Sequence, residues 1–473
     1  MRKQIYLLLA FVAMVIVIAA PLPQSVTHLG FAVLDRTGQT ILGVFVFALI
    51  LWMTEAIPFH ITGMLSIVLM SVLQVAPFGA LVREGFGNSV GVFFIGALIL
   101  AAFIAKSGLG ERMLASIFTV TGNSTRKILL GFIIMGVLIA FWVAGMAVAA
   151  MLAPLAKRIL EREGLQPLKS NFGKALMISC AFGPIIGSIA TPAGSGSNPL
   201  AMGFISDMAG IELSFVDWMR FGTPTTLLLI LPCWLVLLFF FKPEMDHLSI
   251  TPQELKEELR KLGPISREEK ITIALLALTI ALWLATPLLE YILGFGIPLA
   301  LPVILTSSLF FFPGMSRIPW KTIEKEISWN TIILILSGIS IGSFLYSSGA
   351  AGWLAYAMLR EIGGFPAPVQ ILLVILLTCL MKIGFSSNAV TATILVPIAV
   401  ALAQQLQVNP LIFAVPAALA SPMALILVTS SPTNVIPYQS GYFAISDMAK
   451  AGAALTIIMA LILTSVIYFV GGF

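Results

Sequence analysis

Charged residues are scarce in this chain. Asp, Glu, Lys and Arg make up 10% of its 473 residues, whereas 59% are hydrophobic. A soluble domain has about 25% charged residues, so this composition excludes an ordinary soluble enzyme. Disorder is excluded as well, because it requires low hydrophobicity and high charge. The apolar runs are long and continuous, which argues against a membrane β-barrel with its alternating strands. The sequence therefore predicts an all-α polytopic membrane protein.

Cysteine and histidine are also rare, with three residues of each. The cysteines stand singly in apolar runs, which excludes a disulfide framework and a cysteine metal cluster. No HExxH, Walker, GxGxxG or CxxC motif is present. Ser195, in AGSGSN, is weakly similar to a hydrolase serine, but no histidine falls at membrane depth to partner it. The sequence predicts no enzyme and no cofactor apart from the sodium ion considered below.

Eleven apolar segments are long enough to cross a bilayer as helices, which takes about 20 residues. They lie near 5–21, 40–54, 60–77, 89–106, 173–205, 222–241, 271–287, 299–311, 330–347, 410–443 and 451–470. Two further stretches, 128–159 and 367–403, are too long for one span and have glycine- or serine-rich centres. We predict that each forms a re-entrant helical hairpin whose tip stops within the membrane.

The basic residues predict the orientation of the chain. With the N-terminus inside, 21 of the 26 lysines and arginines fall on cytoplasmic segments and 4 outside, while Lys382 lies within the second hairpin. This split follows the positive-inside rule and places the C-terminus outside. The net charge of +5 then reflects topology and requires no nucleic acid. The predicted location is the inner (plasma) membrane of a prokaryote.

The two halves of the chain resemble each other. Residues 144–154 read AGMAVAAMLAP and residues 387–397 read SNAVTATILVP; each hairpin precedes a span with a polar interruption. The halves start on opposite sides, so we predict an inverted repeat. The predicted parts are an N-terminal span (1–37), a first repeat (38–242; hairpin 128–159, broken helix 173–205), a cytoplasmic linker (243–270) and a second repeat (271–473; hairpin 367–403, broken helix 410–443).

The two broken helices indicate what the membrane domain does. Irregular backbone at membrane depth is tolerated where it lines a wet cavity. The N–H end of a half-helix suits an anion, and the carbonyl end suits a cation. Two hairpin tips facing two breaks are typical of the central site of a secondary transporter. A membrane receptor or an intramembrane enzyme is the alternative from another class.

Three segments carry a family resemblance. LWMTEAIPFHITGML (51–65), GSIATPAGSGSN (187–198) and SSPTNVIPYQSGYF (430–443) resemble the divalent anion:sodium symporter family of the ion transporter superfamily, and the likeness covers nearly the whole chain. It implies a carrier of dicarboxylates, citrate or sulfate, coupled to sodium in many members and exchanging anions in others. It also implies a homodimer in the lipid bilayer, in which a transport domain moves against a scaffold domain like an elevator.

The resemblance also implies the site residues. The family has Ser-Asn-Thr at each hairpin tip; the second tip here is Ser387-Asn388-Ala389 and the first is Ala144-Gly145-Met146. By this likeness the small anionic substrate meets Ser387, Asn388, Ser431 and Pro432, with Gly145 and Met146 opposite. One sodium ion would bind at Ile383, Ser386, Asn388 and Ser430. A weakened sodium site falls on Ala140, Ala144, Gly145 and Gly194, which offer backbone carbonyls alone.

Lys382 is a charged residue inside a predicted membrane segment, which marks it as functional by default. It lies five residues before the second tip, a helical distance of about 7–8 Å, within reach of a bound anion. The alternative is that it snorkels to the outer surface. We count it among the substrate-binding residues.

Three further residues are singled out by their positions. Glu55 begins a turn between two spans and is expected to hold the scaffold together or to lie at its interface. Asn198 and Asn434 occupy matching places in the two breaks. We expect them to cap the broken helix ends, with contact to the ligand as the alternative.

Together these observations predict secondary active transport of small divalent anions, C4 dicarboxylates in particular, by an elevator mechanism. The first tip lacks side-chain oxygens and Lys382 adds a fixed positive charge, so we predict reduced sodium dependence or anion exchange. The alternative within transport is a sodium-coupled dicarboxylate or sulfate symporter.

Overall fold

The computed structural model describes residues 2–21, 28–29, 32–115, 121–249 and 263–472. Regular β-structure in these ranges is one antiparallel pair of two-residue strands, β1 (His28–Leu29) and β2 (Ala32–Val33). Apart from this pair the described chain is helical, as its composition predicts. The middle of the predicted linker (250–262) and the C-terminal residue 473 lie outside the described residues.

The helices follow the order of the apolar segments along the chain. In the first half they are α1 (Arg2–Ala19), α2 (Arg36–Thr54), α3 (Phe59–Val72), α4 (Phe78–Phe86), α5 (Ser89–Lys106), α6 (Leu109–Ala115), α7 (Thr125–Ala140), α8 (Gly145–Arg162), α9 (Asn171–Gly187), α10 (Ser197–Ala209) and α11 (Phe215–Phe240). In the second half they are α12 (Arg267–Leu293), α13 (Ala300–Leu309), α14 (Trp320–Ile323), α15 (Trp329–Ser347), α16 (Ala350–Leu359), α17 (Ala367–Gly384), α18 (Asn388–Gln405), α19 (Leu411–Ala420), α20 (Pro432–Tyr438) and α21 (Ile445–Gly471).

Nine helices of the described chain are long and apolar enough to cross a membrane. Two of them, α17 and α18, are the arms of the predicted second hairpin, and the other seven coincide with predicted spans. The predicted spans at 60–77 and 299–311 form shorter helices, of 14 and 10 residues. The predicted spans at 173–205 and 410–443 are each divided into two helices.

Both predicted breaks are present, and each contains a short 3-10 turn. In the first, Pro192–Gly194 separates α9 from α10; in the second, Val428–Ser430 separates α19 from α20. Proline and glycine at these places end helices because they remove a donor or add backbone freedom. Each break therefore leaves backbone groups that need other partners.

An asparagine closes each break. The Nδ2 atom of Asn198 donates to the carbonyls of Ser188 and Thr191, both at 2.8 Å. The Nδ2 atom of Asn434 donates to the carbonyls of residues 424 and 427, at 2.7 and 3.0 Å. In both breaks the acceptors lie 10 and 7 residues before the asparagine. Asn198 thus caps the carbonyl end of α9, as predicted. The carbonyls that Asn434 binds lie within the second break, beyond the end of α19 at Ala420.

The helix after each break lies directly against the broken backbone. A Cβ atom on Gly222 would come 2.1 Å from the carbonyl oxygen of Ile189, and one on Gly452 would come 2.0 Å from that of Leu425. Such an approach is open only to a residue without a side chain. Glycine therefore sets how closely α11 and α21 pack on the breaks.

The helices pack in two groups. Helices α1–α5, α12, α13 and α15 contact one another, and we call them the framework group. Helices α7–α11 and α17–α21 contact one another, and we call them the hairpin group. The groups meet where α15 packs against α10 and α18, where α5 packs against α10, and where α12 packs against α11. A cavity lies at this boundary.

Candidate functional site

The cavity has a volume of about 470 Å³ and lies between the two groups. Both tips and both breaks form its wall. Nine of the thirteen predicted site residues line it: Ala144, Gly145, Met146, Gly194, Ser386, Ser387, Asn388, Ser431 and Pro432. The remaining four, Ala140, Ile383, Ser430 and Lys382, are not on the wall. The structure therefore brings together segments that lie almost 300 residues apart in the chain.

Six helices of the described chain begin at this cavity. Four belong to the hairpin group, namely α8, α10, α18 and α20, and two belong to the framework group, namely α3 and α15. The first turn of a helix has unpaired N–H groups and a partial positive charge. A shared cavity at several such ends therefore favours a small anion.

The two tips differ in how they start their helices. Ser387 caps α18, because its Oγ atom accepts a hydrogen bond of 3.4 Å from the backbone N–H of Val390. Ala144, at the equivalent place before α8, makes no side-chain cap. Met146 follows it, with 47% of its surface exposed, and lines the cavity. The first tip thus offers backbone groups and an apolar side chain, whereas the second offers hydroxyl and amide groups.

Three side-chain oxygen atoms at the second tip and the second break have no hydrogen-bond partner among the described residues. They are Oδ1 of Asn388, Oγ of Ser430 and Oδ1 of Asn434, all buried. Buried oxygen atoms of this kind are unfavourable unless something binds to them. Oxygen ligands are what a hard cation prefers, so this region fits the predicted sodium site. Within the described chain no group of three or more His, Cys, Asp or Glu residues could hold a metal ion.

The equivalent region at the first break is closed. A Cβ atom on Gly194 would come 2.7 Å from the carbonyl oxygen of Ala140, so the two predicted ligands are in close contact. The Oδ1 atom of Asn198 accepts a hydrogen bond of 3.5 Å from Ser197, and Thr191 donates to the carbonyl of Phe141 at 2.5 Å. Here the side-chain oxygens of Thr191 and Asn198 have hydrogen-bond partners within the protein.

Lys382 is buried rather than exposed, with 1% of its surface accessible. It lies in the last turn of α17, which packs against α19, α21 and the 3-10 turn of the second break. Its Nζ atom has no hydrogen-bond partner among the described residues. The side chain of Lys382 therefore does not lie at the outer surface. It lies behind the wall of the cavity and is not part of it.

Sequence reasoning missed the part of the wall that the framework group supplies. This part includes Pro58, Phe59 and His60 at the start of α3, and Ser328, Asn330 and Thr331 at the start of α15. Residues 58–60 lie inside the motif LWMTEAIPFHITGML, so that motif was the available signal. The start of α15 carries no motif that would have revealed it.

A second cavity, of about 660 Å³, lies toward the opposite end of the group boundary. Its wall includes Asp207, Glu212 and Glu290. Phe215, also on this wall, stacks on Trp283 of the framework group at 4.2 Å and on Trp142, close to the first tip, at 6.2 Å. A layer of aromatic rings thus lies between this cavity and the first tip.

Comparison with known proteins identifies the family. The model of the sodium:sulfate symporter transmembrane region matches residues 1–471. This chain belongs to that family. It is therefore a multi-pass transporter of the divalent anion:sodium symporter type, and the receptor and intramembrane-enzyme alternatives are ruled out.

The individual relatives of this chain are bacterial carriers. The sodium-dependent dicarboxylate transporter SdcS of Staphylococcus aureus strain USA300 is 30% identical over 455 residues, which cover 90% of this chain and 86% of the relative. The SdcS protein of Staphylococcus saprophyticus is 29% identical over 449 residues, with the same coverage. The plasma membrane is accordingly the location of this family member.

A solved structure shares the fold of this symporter-family member. The YdaH transporter of Alcanivorax borkumensis superimposes with a TM-score of 0.57 at 17% identity, covering 84% of this chain and 88% of that one. At this identity the likeness concerns the helical transporter fold alone.

Proposed function

We propose that this protein carries C4 dicarboxylates across the plasma membrane by an elevator movement of the hairpin group, and that it works as a homodimer. The observation that supports this most is the common cavity of both tips and both breaks. Its volume of about 470 Å³ falls within the range of about 300–1,000 Å³ of small-molecule sites. The name of the SdcS relatives points to the same class of substrate.

In this proposal the substrate lies between the tips. One carboxylate accepts hydrogen bonds from Ser387, Asn388 and the start of α20 at Ser431–Pro432. The other faces Gly145 and Met146, where backbone N–H groups at the start of α8 are the donors. The field of the helix ends offsets part of the negative charge. Met146 then limits the length of the substrate at the first tip.

The packing supports an elevator movement. The hairpin group holds all four of its tips and breaks together, and it meets the framework group through few helices. A movement of one group along the other would carry the complete hairpin-group part of the site. After this movement the first cavity would no longer be open on its side of the membrane, and the aromatic layer would no longer separate the site from the other side.

The proposed topology has an internal N-terminus, an external C-terminus and two re-entrant hairpins. Ion pairs support it because they join residues predicted on the same side. Lys106 pairs with Glu326 at 2.7 Å, Arg112 with Glu269 at 2.6 Å, and Lys174 with Asp447 at 3.2 Å. All six residues were predicted at the cytoplasmic surface.

We further propose that sodium matters less here than in the relatives named sodium-dependent. The first cation region is closed by protein contacts, and Lys382 supplies a buried positive charge beside the second. A charged group that stays on the protein when the substrate leaves disfavours return of the empty carrier and favours anion exchange. The buried side-chain oxygens of Asn388 and Ser430, which have no hydrogen-bond partner among the described residues, favour the second candidate. This candidate is a sodium-coupled symporter of dicarboxylates or of sulfate.

Uptake into liposomes separates these candidates. Purified protein is given labelled succinate or labelled sulfate, in sodium or in choline, with or without unlabelled substrate inside. We expect succinate uptake that internal substrate stimulates and that choline reduces only slightly. Steep sodium dependence without stimulation by internal substrate would instead establish the symporter. Uptake of sulfate but not of succinate would show that sulfate is the substrate in place of a C4 dicarboxylate.

A further inference from the structure

Glu55 joins the two packing groups beside the second tip. It follows α2 of the framework group, and its carboxylate accepts a hydrogen bond from the hydroxyl of Ser386, which directly precedes the second tip. The two residues are 331 positions apart in the chain. Glu55 is not on the wall of the cavity. The contact therefore depends on how the two groups are placed, and it involves the substrate only indirectly.

The backbone of Glu55 is in the left-handed region, with φ 49° and ψ 33°. Helices commonly end in this conformation with glycine, and sometimes with asparagine, because a β-carbon is disfavoured there. A glutamate at such a place is less stable than a glycine would be. A strained residue whose side chain contacts another part of the protein indicates a role beyond ending the helix.

We infer that Glu55 is a latch that holds the second tip in one state of the transport cycle. The inference rests on the proposed elevator movement. With Ser386 held, the cavity reaches the end of the bundle lined by His60 and Glu326. Movement of the hairpin group along the framework group has to break this hydrogen bond. Glu55 is thus a positioning residue that stabilises the present arrangement, and the rest of the cycle requires its release.

The test compares the reactivity of two cysteines in the hairpin group. Ala147→Cys places a thiol on the wall of the first cavity, and Ser206→Cys places one on the wall of the second. The three native cysteines are buried, so each reporter is the accessible thiol. A polar maleimide is applied in detergent, where it reaches both ends of the protein. The ratio of the two labelling rates measures which cavity is open.

Glu55→Gln and Ser386→Ala should each lower the rate at position 147 and raise it at position 206. This hydrogen bond is exposed to solvent, so it is expected to contribute about 0.8 kcal/mol, which corresponds to about a fourfold change in the ratio. The double variant should change the ratio no further than either single variant, because both remove the same contact. Glu326→Gln is the matched control: this carboxylate lies at the same opening but pairs with Lys106 within the framework group.

Glu55→Gly separates a latch from a helix cap. It relieves the left-handed backbone, so its unfolding temperature should equal or exceed that of the parent protein, while the labelling ratio changes as in Glu55→Gln. An unchanged ratio in folded Glu55→Gln and folded Ser386→Ala would overturn the inference. Because labelling needs no substrate, absence of dicarboxylate uptake would contradict the proposed function and leave this result in place.

Discussion

Two polar side chains at the second tip and break should be essential for transport. We expect Asn388→Ala and Ser431→Ala each to reduce dicarboxylate uptake at least about tenfold, since a charge-assisted hydrogen bond contributes about 1.5–3 kcal/mol. Both residues line the cavity. Initial uptake rates in proteoliposomes measure the effect. Ser421→Ala is the control, because its buried hydroxyl donates to the carbonyl of Ala417 and not into the cavity. Normal uptake in both variants would move the site elsewhere.

Lys382→Met tests the role of the buried charge. Acting over about 8 Å at an effective dielectric constant of about 20, the charge stabilises an anion by about 2 kcal/mol, or about 30-fold in affinity. We therefore expect Lys382→Met to weaken dicarboxylate exchange by about that factor. Lys321→Met, at an exposed lysine outside the cavity wall, should leave exchange unchanged. An equal rate for both variants would show that the charge of Lys382 does not reach the substrate.

Individual residues were predictable where a pattern repeats. The two asparagines were found because the breaks resemble each other, and the tips because glycine or serine interrupts two over-long apolar runs. The partner of Glu55 was not predictable, because the contact with Ser386 depends on the position of one packing group against the other. The burial of Lys382 could not be predicted either, since helical spacing gives a distance from the tip but not the direction of the side chain.

At the scale of elements, replacing the glycine on the helix after either break is expected to destabilise the protein. A methyl group on Gly452 would overlap the carbonyl of Leu425. Gly452→Ala should therefore destabilise the protein by about 1–3 kcal/mol, the range for overpacked cores. Thermal unfolding in detergent measures this. Gly79→Ala is the matched control, because a Cβ there meets nothing within 4 Å and alanine favours a helix. Equal unfolding temperatures would show that α21 shifts without cost.

Element boundaries were predicted best where proline and glycine mark them. The hairpins expected at 128–159 and 367–403 correspond to helices spanning 125–162 and 367–405. Helices α3 and α13 are shorter than the apolar runs that contain them. Hydropathy reports how apolar a segment is, whereas hydrogen bonding decides where its helix ends. For this reason the number of spanning helices does not follow from hydropathy alone.

For the whole molecule, the proposed topology is open to a direct test. A cysteine replacing the exposed Ile265 should react only from the cytoplasmic side, and one in a tag after the C-terminus only from the outside. The reason is the distribution of basic residues, 21 inside and 4 outside. Labelling in right-side-out and inverted vesicles with an impermeant maleimide gives the answer. Reaction of both sites from the same side would contradict an odd number of spans.

The fold class of the whole molecule followed from composition, and its family followed from motifs distributed along the chain. The boundary between the framework group and the hairpin group could not be predicted from the sequence, because it consists of contacts between segments with no common pattern. The framework side of the cavity is such a case. It comes from the starts of α3 and α15, which meet the tips only in the folded protein.

The six helix starts around the cavity have an evolutionary consequence. Their N–H groups belong to the backbone, so a single substitution, even by proline, removes at most one of them. Drift in the side chains at the two tips can then alter the size or shape of the accepted ligand, while the preference for negative charge is inherited with the fold. A lineage built on this chain would be expected to diversify among anions far more readily than to acquire a cationic or neutral cargo.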